Sequence, residues 1–493
     1  MLETRGRSVL ARAGAPRGAS AGTRPRSAAD PRTADSRRAP RWAHAPRRIE
    51  DPLHDSTPRP GLPERLARLI RLRTVSAELE TVDEALALLR ELYPLIHERL
   101  EPERITDRGL LYRWPGRDSG ADPLVLMAHL DVVPVEDPAA WTHPPFGGDI
   151  VDGAVWGRGA LDDKGPLVVV LEAVENLLAA GVVPARDVLL AFGGDEEVRG
   201  AAARAIAETL HERGIVPWLV LDEGSAVVEA PLPGVVGPVA MIGVGEKGLL
   251  TLRLTARSAG GHASAPPRLT AVGRLARAIT RLTPSTFPAR VPEALALALA
   301  LLADRAPGAR GALYRLLGAR PQLAAPVLAA LGGETAALVR TTIAPTMLRA
   351  GTADNVLAAE ASAVLNLRLA PGETAAGAAE RVRRRIRDRE VAVEVVLGED
   401  PSPQSPSDGA PFAALRVALA VSHPEAAVVP YVINAATDSR HLHRFAPAVY
   451  RFAPLLISKE QRAGIHGVDE HVDIAALERG EVFHRALITG LGA

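Results

Sequence analysis

The sequence predicts an α/β protein: a three-layer α/β/α domain with a largely parallel sheet, into which a smaller α+β domain is inserted. Three observations carry this. Apolar runs of strand length alternate with helical patterns of roughly 10 to 15 residues between Leu124 and Ser225, as βαβ units do. From Gly248 the strands instead alternate apolar and polar residues, which marks a sheet solvated on one face. After the proline-rich stretch Pro401 to Pro406 the pattern returns to α/β character, so the second domain interrupts the first.

In chain order, Leu66, Leu69 and Ile70 recur at helical spacing, and Leu86, Leu89 and Leu92 repeat it until Pro94. The run Leu124 to Ala128 reads as a buried parallel strand and stops at His129 and Asp131. A Pro- and Gly-rich loop follows, then Gly157-Arg-Gly-Ala-Leu-Asp-Asp-Lys-Gly165 and a helix from Pro166 to Leu178. Strand Val188 to Phe192 leads into Asp195-Glu-Glu197, a helix covers Ala201 to His211, and strand Trp218 to Leu221 ends in Asp222. The second domain reads as strand Gly248 to Ala256, helix Val272 to Leu282, strand Ala361 to Leu369, helix Ala376 to Asp388 and strand Val391 to Leu397. Between its first helix and second strand lies an Ala- and Leu-rich helical insertion, Ala294 to Val339. The last part holds an apolar run at Ala413 to Val421, a strand at Val428 to Ile433 and a helix at Asp473 to Leu487. The expected boundaries are a first catalytic part 61–246, an inserted domain 247–400 with its helical insertion at about 285–345, and a second catalytic part 401–493.

Hydrophobic residues make up 47% of the 493, enough for two sizeable cores. Net charge is zero and aromatics are 3%, so composition favours neither a nucleic-acid partner nor an anionic membrane. There is no cysteine, which leaves His and carboxylates as the strong metal ligands. Lysine stands only at Lys164, Lys247 and Lys459, every other basic residue being arginine. Residues 1–60 are rich in Arg, Ala, Pro and Ser without apolar periodicity, and are expected to be disordered. No signal peptide or membrane span of ~18 apolar residues is recognised, so the expected location is cytoplasmic.

Four successive α/β segments each place acids or an imidazole at or just beyond a strand end: His129 and Asp131, Asp162 and Asp163, Glu196 and Glu197, and Asp222. In open α/β sheets those ends line the ligand crevice. Singly, each acid reads as a helix cap or turn residue. Together they would repel one another unless cations held them, and an oxygen and nitrogen donor set without cysteine suits zinc, with manganese or cobalt possible.

These stretches, His129-Leu-Asp131 with Val-Val-Pro, the Gly157 to Gly165 run, Asp195-Glu-Glu197, Asp222-Glu-Gly and His466-Gly-Val-Asp-Glu, resemble the ordered motifs of the M20 metallopeptidase family. Within it the sequence is most similar to the branch of carboxypeptidase S and the N-fatty-acyl-amino-acid hydrolase/synthases. The resemblance implies a dizinc exopeptidase-like catalytic domain with a ferredoxin-like lid, and two Zn2+ ions. His129 and Asp222 would bind one, Glu197 and His466 the other, and Asp162 both. Asp131 would orient His129, and Glu196 would be the general base acting on a metal-bridged water. In the lid, His262 and Asn355 would hold the oxyanion, often across a homodimer, and Arg368 would grip a substrate carboxylate; Arg440 has a supporting role. His471 is a rival ligand that spacing leaves open. Gly194 stands where the family usually has a histidine, the proline common after Asn-Val-Ile is missing after Asn355, and the lid turn reads His-Ala-Ser-Ala rather than His-Ser-Ser-Met.

The implied activity is hydrolysis of an amide bond next to a free carboxylate, in a peptide or an N-acyl amino acid. A dipeptidase or aminoacylase is the alternative, and a metal-binding pseudoenzyme or a nucleic-acid binder the less favoured ones. The apolar insertion would either line an acyl pocket or serve packing or dimer contact.

Overall fold

A computed structural model describes residues 58–80 and 82–492. Most of the segment expected to be disordered, residues 1–57, lies outside them. At its end the expectation is corrected: the Arg59 guanidinium donates to both oxygens of buried Glu172 and to the Leu92 carbonyl.

The larger sheet has ten strands. At its centre Val188–Gly193, Leu124–His129, Leu219–Asp222 and Val449–Arg451 run parallel in that order. Gly109–Trp114 joins antiparallel beside Val188–Gly193, and Pro238–Glu246 beyond Val449–Arg451 pairs in parallel with Ala427–Ile433. Because side chains alternate along a strand, Leu124, Leu126 and Ala128 pack in one core with helices Lys164–Ala179, Gly409–Ser422 and Ile474–Thr489. Val125 and Met127 pack in another with helix Ala201–Glu212. That is the three-layer arrangement.

The inserted domain begins immediately after the Glu246-Lys247 crossing. Its sheet orders Thr342–Ala350, Glu360–Leu369, Gly248–Arg257 and Val391–Glu399, all antiparallel, with helices Ala271–Arg281 and Ala375–Ile386 on one face. This is the β-α-β-β-α-β order of a ferredoxin-like lid. Strand Thr342–Ala350 has no counterpart among the strands expected from the sequence because it is a largely exposed edge interrupted by Pro345, so it carries no alternation.

The helical insertion leaves the lid altogether. Helices Glu293–Leu302, Ala309–Ala319 and Pro321–Ala330 form a core with Val239 and Val429 of the catalytic sheet.

Lys164 and Lys247 are both buried. Lys164 Nζ donates to the carbonyls of Leu69 (2.9 Å) and Leu72 (2.7 Å) at the end of helix Leu62–Arg71. Lys247 Nζ donates to the carbonyls of Ala337 and Arg340. A compact ammonium with three donors fits such carbonyl pairs, where the planar fork of arginine does not, which accounts for lysine surviving there.

Candidate active site

His129 closes its strand fully buried, with Nδ1 at 3.0 Å from the Asp131 carbonyl and 3.4 Å from the Asp131 carboxylate. The Asp131 carboxylate also accepts from Ser76 Oγ (2.6 Å) and from the backbone N–H groups of Glu196 (3.1 Å) and Glu197 (3.3 Å). One acid thereby orients the imidazole and fixes the neighbouring acidic turn.

Asp162 faces two imidazoles. Its Oδ1 lies 3.0 Å from His129 Nε2, and its Oδ2 lies 3.0 Å from His466 Nε2. Glu197 Oε1 is 3.1 Å from the same His466 nitrogen. His129, Asp162 and Glu197 offer donor atoms all within 4.8 Å of one another. Asp222 stands beside this triad, buried, its Oδ2 accepting from the Ser439 N–H at 2.8 Å. Asp163 accepts from the His129 N–H at 2.9 Å, and the Asp162–Asp163 peptide is cis.

The ionisable groups crowd one another. Burial, with the charges of Asp162, Asp222, Glu196 and Asp163, pushes the Glu223 carboxyl well above the usual range. Burial likewise raises Glu196, whose neighbours include Asp162, Glu197 and Asp438. The His466 imidazole is pulled up to about 10 by its hydrogen bonds to Asp162 and Glu197. For His129 burial opposes the charged form, but hydrogen bonds to Asp131 and Asp162 outweigh it and raise the group. Two imidazoles stand among these carboxyls, and His129, Asp162 and Glu197 form a donor set that fits divalent metal.

The triad opens into a cavity of about 530 Å³. Asp162, Glu196, Glu197, Glu223 and His466 line it on one side. Arg368 and Leu249 reach it from the lid, as do Leu397 and Glu399, and Arg440 lines it with its Nε 3.8 Å from Glu399. Much of the remaining wall is apolar, including Ala226, Val228, Met241, Leu455, Ile457 and Ile465.

Residues 125–490 match the model of peptidase family M20/M25/M40. The chain belongs to this family. It is a metal-dependent hydrolase of peptide or amide bonds. It is similar to the probable carboxypeptidase S-like 2 of Dictyostelium discoideum, at 33% identity over 87% of this chain and 84% of the relative. An N-fatty-acyl-amino acid synthase/hydrolase of Danio rerio is 34% identical over 81% of this chain and 79% of its own. The fold matches a crystallised M20 metallo-carboxypeptidase of Sulfolobus solfataricus with a TM-score of 0.64 at 17% identity, covering 87% of this chain and 98% of that one.

Against the M20 motifs, the lid divides. Arg368 reaches the cavity, but His262 and Asn355 do not line it within one chain. They sit together on an exposed corner, where His262 Nδ1 accepts from Ser264 N (3.1 Å) and the Asn355 carbonyl from Ala263 N (3.0 Å). His471 is no ligand of the triad: its ring stacks on Trp156 at 4.0 Å, and Nδ1 meets the Asp469 carbonyl. Gly194 has no room for the missing histidine, since a Cβ there would lie 2.8 Å from Val82 Cγ1. No described residue of the insertion lines this cavity directly; its core packs on the catalytic sheet and against Met241, which does line it.

Two residues carry more than their sequence context signals. Glu470, the last acid of the His466 motif, accepts from Arg158 Nη1 (2.6 Å) and from the N–H groups of Gly159, Leu161 and Asp162. It clamps the loop that carries Asp162. Glu223 lines the cavity beside Asp222, and only its place one residue past a strand-end acid could have signalled it.

Proposed function

We propose that the protein hydrolyses the amide bond of N-acyl amino acids, with a dinuclear zinc site held by His129, Asp162, Glu197, Asp222 and His466. The observation that carries the dinuclear reading is Asp162, whose two oxygens each face a different imidazole at 3.0 Å. Bound there, the ions would lower the pKa of the attacking water and polarise the scissile carbonyl.

The chain's own groups do the rest. Glu196 takes the proton from the attacking water and returns it to the leaving amine nitrogen. Asp131 holds the Glu196 and Glu197 backbone against the His129 strand end, so that base and ligands keep one geometry. Arg368 and Arg440 receive the free carboxylate, to which a guanidinium offers two parallel donors. The apolar wall from Ala226 to Ile465 favours an acyl chain over a charged amino terminus. Residues 247–400 act as the lid on a catalytic domain formed by 61–246 and 401–493, and a homodimer would bring His262 and Asn355 of one copy to the other's cavity.

Glu223 favours a second reading, a dipeptidase, because a carboxylate inside the cavity could receive a substrate's amino group. Elemental analysis of the wild type and Asp162→Ala, with turnover of N-acyl amino acids and dipeptides on the same samples, tests both. Two metal ions per chain, lost in the variant together with turnover of acyl amino acids, is the expected result. Unchanged metal content in Asp162→Ala would remove the site assignment, and turnover confined to dipeptides would replace the substrate.

A further inference from the structure

The chain is neutral as a whole, but its helical insertion is not. Between Ala294 and Val339 four arginines, Arg305, Arg310, Arg315 and Arg320, stand against two acids, Asp304 and Glu334. The helices Ala309–Ala319 and Pro321–Ala330 bury Tyr314, Leu317, Ala324 and Leu328 in a core shared with Val239 and Val429. Beside that buried stripe they also carry exposed apolar residues. Leu313, Leu316, Leu323, Val327 and Leu331 are each 46 to 70% exposed. Leu313 and Leu316 are three apart, and Leu323, Val327 and Leu331 four apart, so each set forms one stripe. Clustered exposure of this kind marks a surface that meets something apolar.

Charge says what. Arg310, Arg315 and Arg320 are exposed on the same two-helix segment, and among the described residues only Arg315 pairs with a carboxylate, that of Asp304 at 2.7 Å. A second copy of the chain meeting this face about a two-fold axis would bring the same excess of positive charge to both sides. A bilayer with anionic headgroups offers them opposite charge and offers the leucines hydrocarbon. We infer that the Ala309–Ala330 helical pair is a docking face for anionic lipid membranes, with leucines entering the acyl boundary and arginines meeting lipid phosphates. This attachment is peripheral: no helix among the described residues is long and apolar enough to cross a membrane. It does not depend on the substrate reading, because its readout is binding rather than turnover.

The test is sedimentation of the full chain with vesicles of phosphatidylglycerol and phosphatidylcholine, against vesicles of phosphatidylcholine alone, at physiological ionic strength. The wild type should bind the anionic vesicles at least about 10-fold more tightly. Leu313→Ser/Leu316→Ser/Leu323→Ser should lose about 10-fold or more, and Arg310→Gln/Arg320→Gln should lose the preference for anionic lipid. Leu348→Ser, equally exposed but on the lid edge, should bind as the wild type does. Thermal midpoints of all variants should stay at the wild-type value, the altered side chains being exposed. Leu323→Trp, in an otherwise unchanged chain, should add an emission component quenched by brominated lipid. Failure of the wild type to bind, or no added quenching in Leu323→Trp, overturns the inference. So does binding retained in both multiple variants, which would move it elsewhere, the arginine-rich residues 1–57 first. A wild-type dimer that becomes monomeric in the leucine variant, without vesicle binding, would make the face a contact between copies instead.

Discussion

The catalytic sheet and the lid place their chemistry by different means. Strand ends and the loops after them carry His129, Asp131, Glu196, Glu197 and Asp222 to one crevice, because parallel neighbours end on the same side of a sheet, and the loop clamped by Glu470 adds Asp162. The lid has no such shared edge. Its Arg368 enters the cavity from strand Glu360–Leu369, while His262 and Asn355 stay on an exposed corner of the same domain. Groups placed by sheet topology meet within one chain, whereas of the three lid groups only Arg368 reaches the cavity there.

The most damaging way to break the sheet's side of that comparison is Asp162→Ala. Turnover should fall to background and bound metal should be lost, read by elemental analysis and an amidase assay. Glu196→Gln should leave the metal content intact and lower kcat by about 10²–10⁴-fold. On the lid's side, Arg368→Ala should cost about 10- to 100-fold in kcat/KM for a carboxylate substrate, the worth of a charge-assisted hydrogen bond pair. An ester of the same substrate should show a much smaller difference. His262→Ala sharpens the contrast further. Dilution through a dimer–monomer transition should lower wild-type turnover and leave the variant's unchanged; a fully active monomer by light scattering would deny His262 any role across copies.

The smallest expected effect concerns acid stability, and it too separates the two regions. His423 and His484 are buried and held down to about 4, and His441 and His443 to about 3, mainly by burial. All four belong to the catalytic part, whereas the lid has only exposed His262. Unfolded histidine binds its proton near pH ~6.5. Between there and about 4 the unfolded state therefore holds more protons, and stability falls as the pH drops through that window. His484→Leu should flatten the decline of the thermal midpoint between pH 6.5 and 4.

The same contrast explains which parts of the molecule are legible in its sequence. Apolar runs and the acids after them are local along the chain, so the strand ends, the fold and the grouping of metal-site candidates can be read directly. The edge strand Thr342–Ala350 cannot, since an exposed strand with an internal proline has no apolar period. The insertion reads correctly as helical, but the surface it covers is set by Val239 and Val429, distant residues whose pairing no periodicity encodes. Glu470 looks like one more motif acid because its partners are backbone N–H groups some three hundred positions earlier. Local pattern reveals what an element is, and long-range satisfaction of polar groups decides where it sits.

That clamp also sets a schedule for biosynthesis. The loop bearing Asp162 is tethered by Glu470, and the second imidazole facing Asp162 comes from His466, so both parts leave the ribosome only after the lid has been made. Domains generally fold as units, amino-terminal parts first. Here an emerging chain can collapse its first strands and even its lid while the crevice still lacks a wall. A chain that stops before His466 would lack both the clamp and the second imidazole, and should show no turnover in an amidase assay.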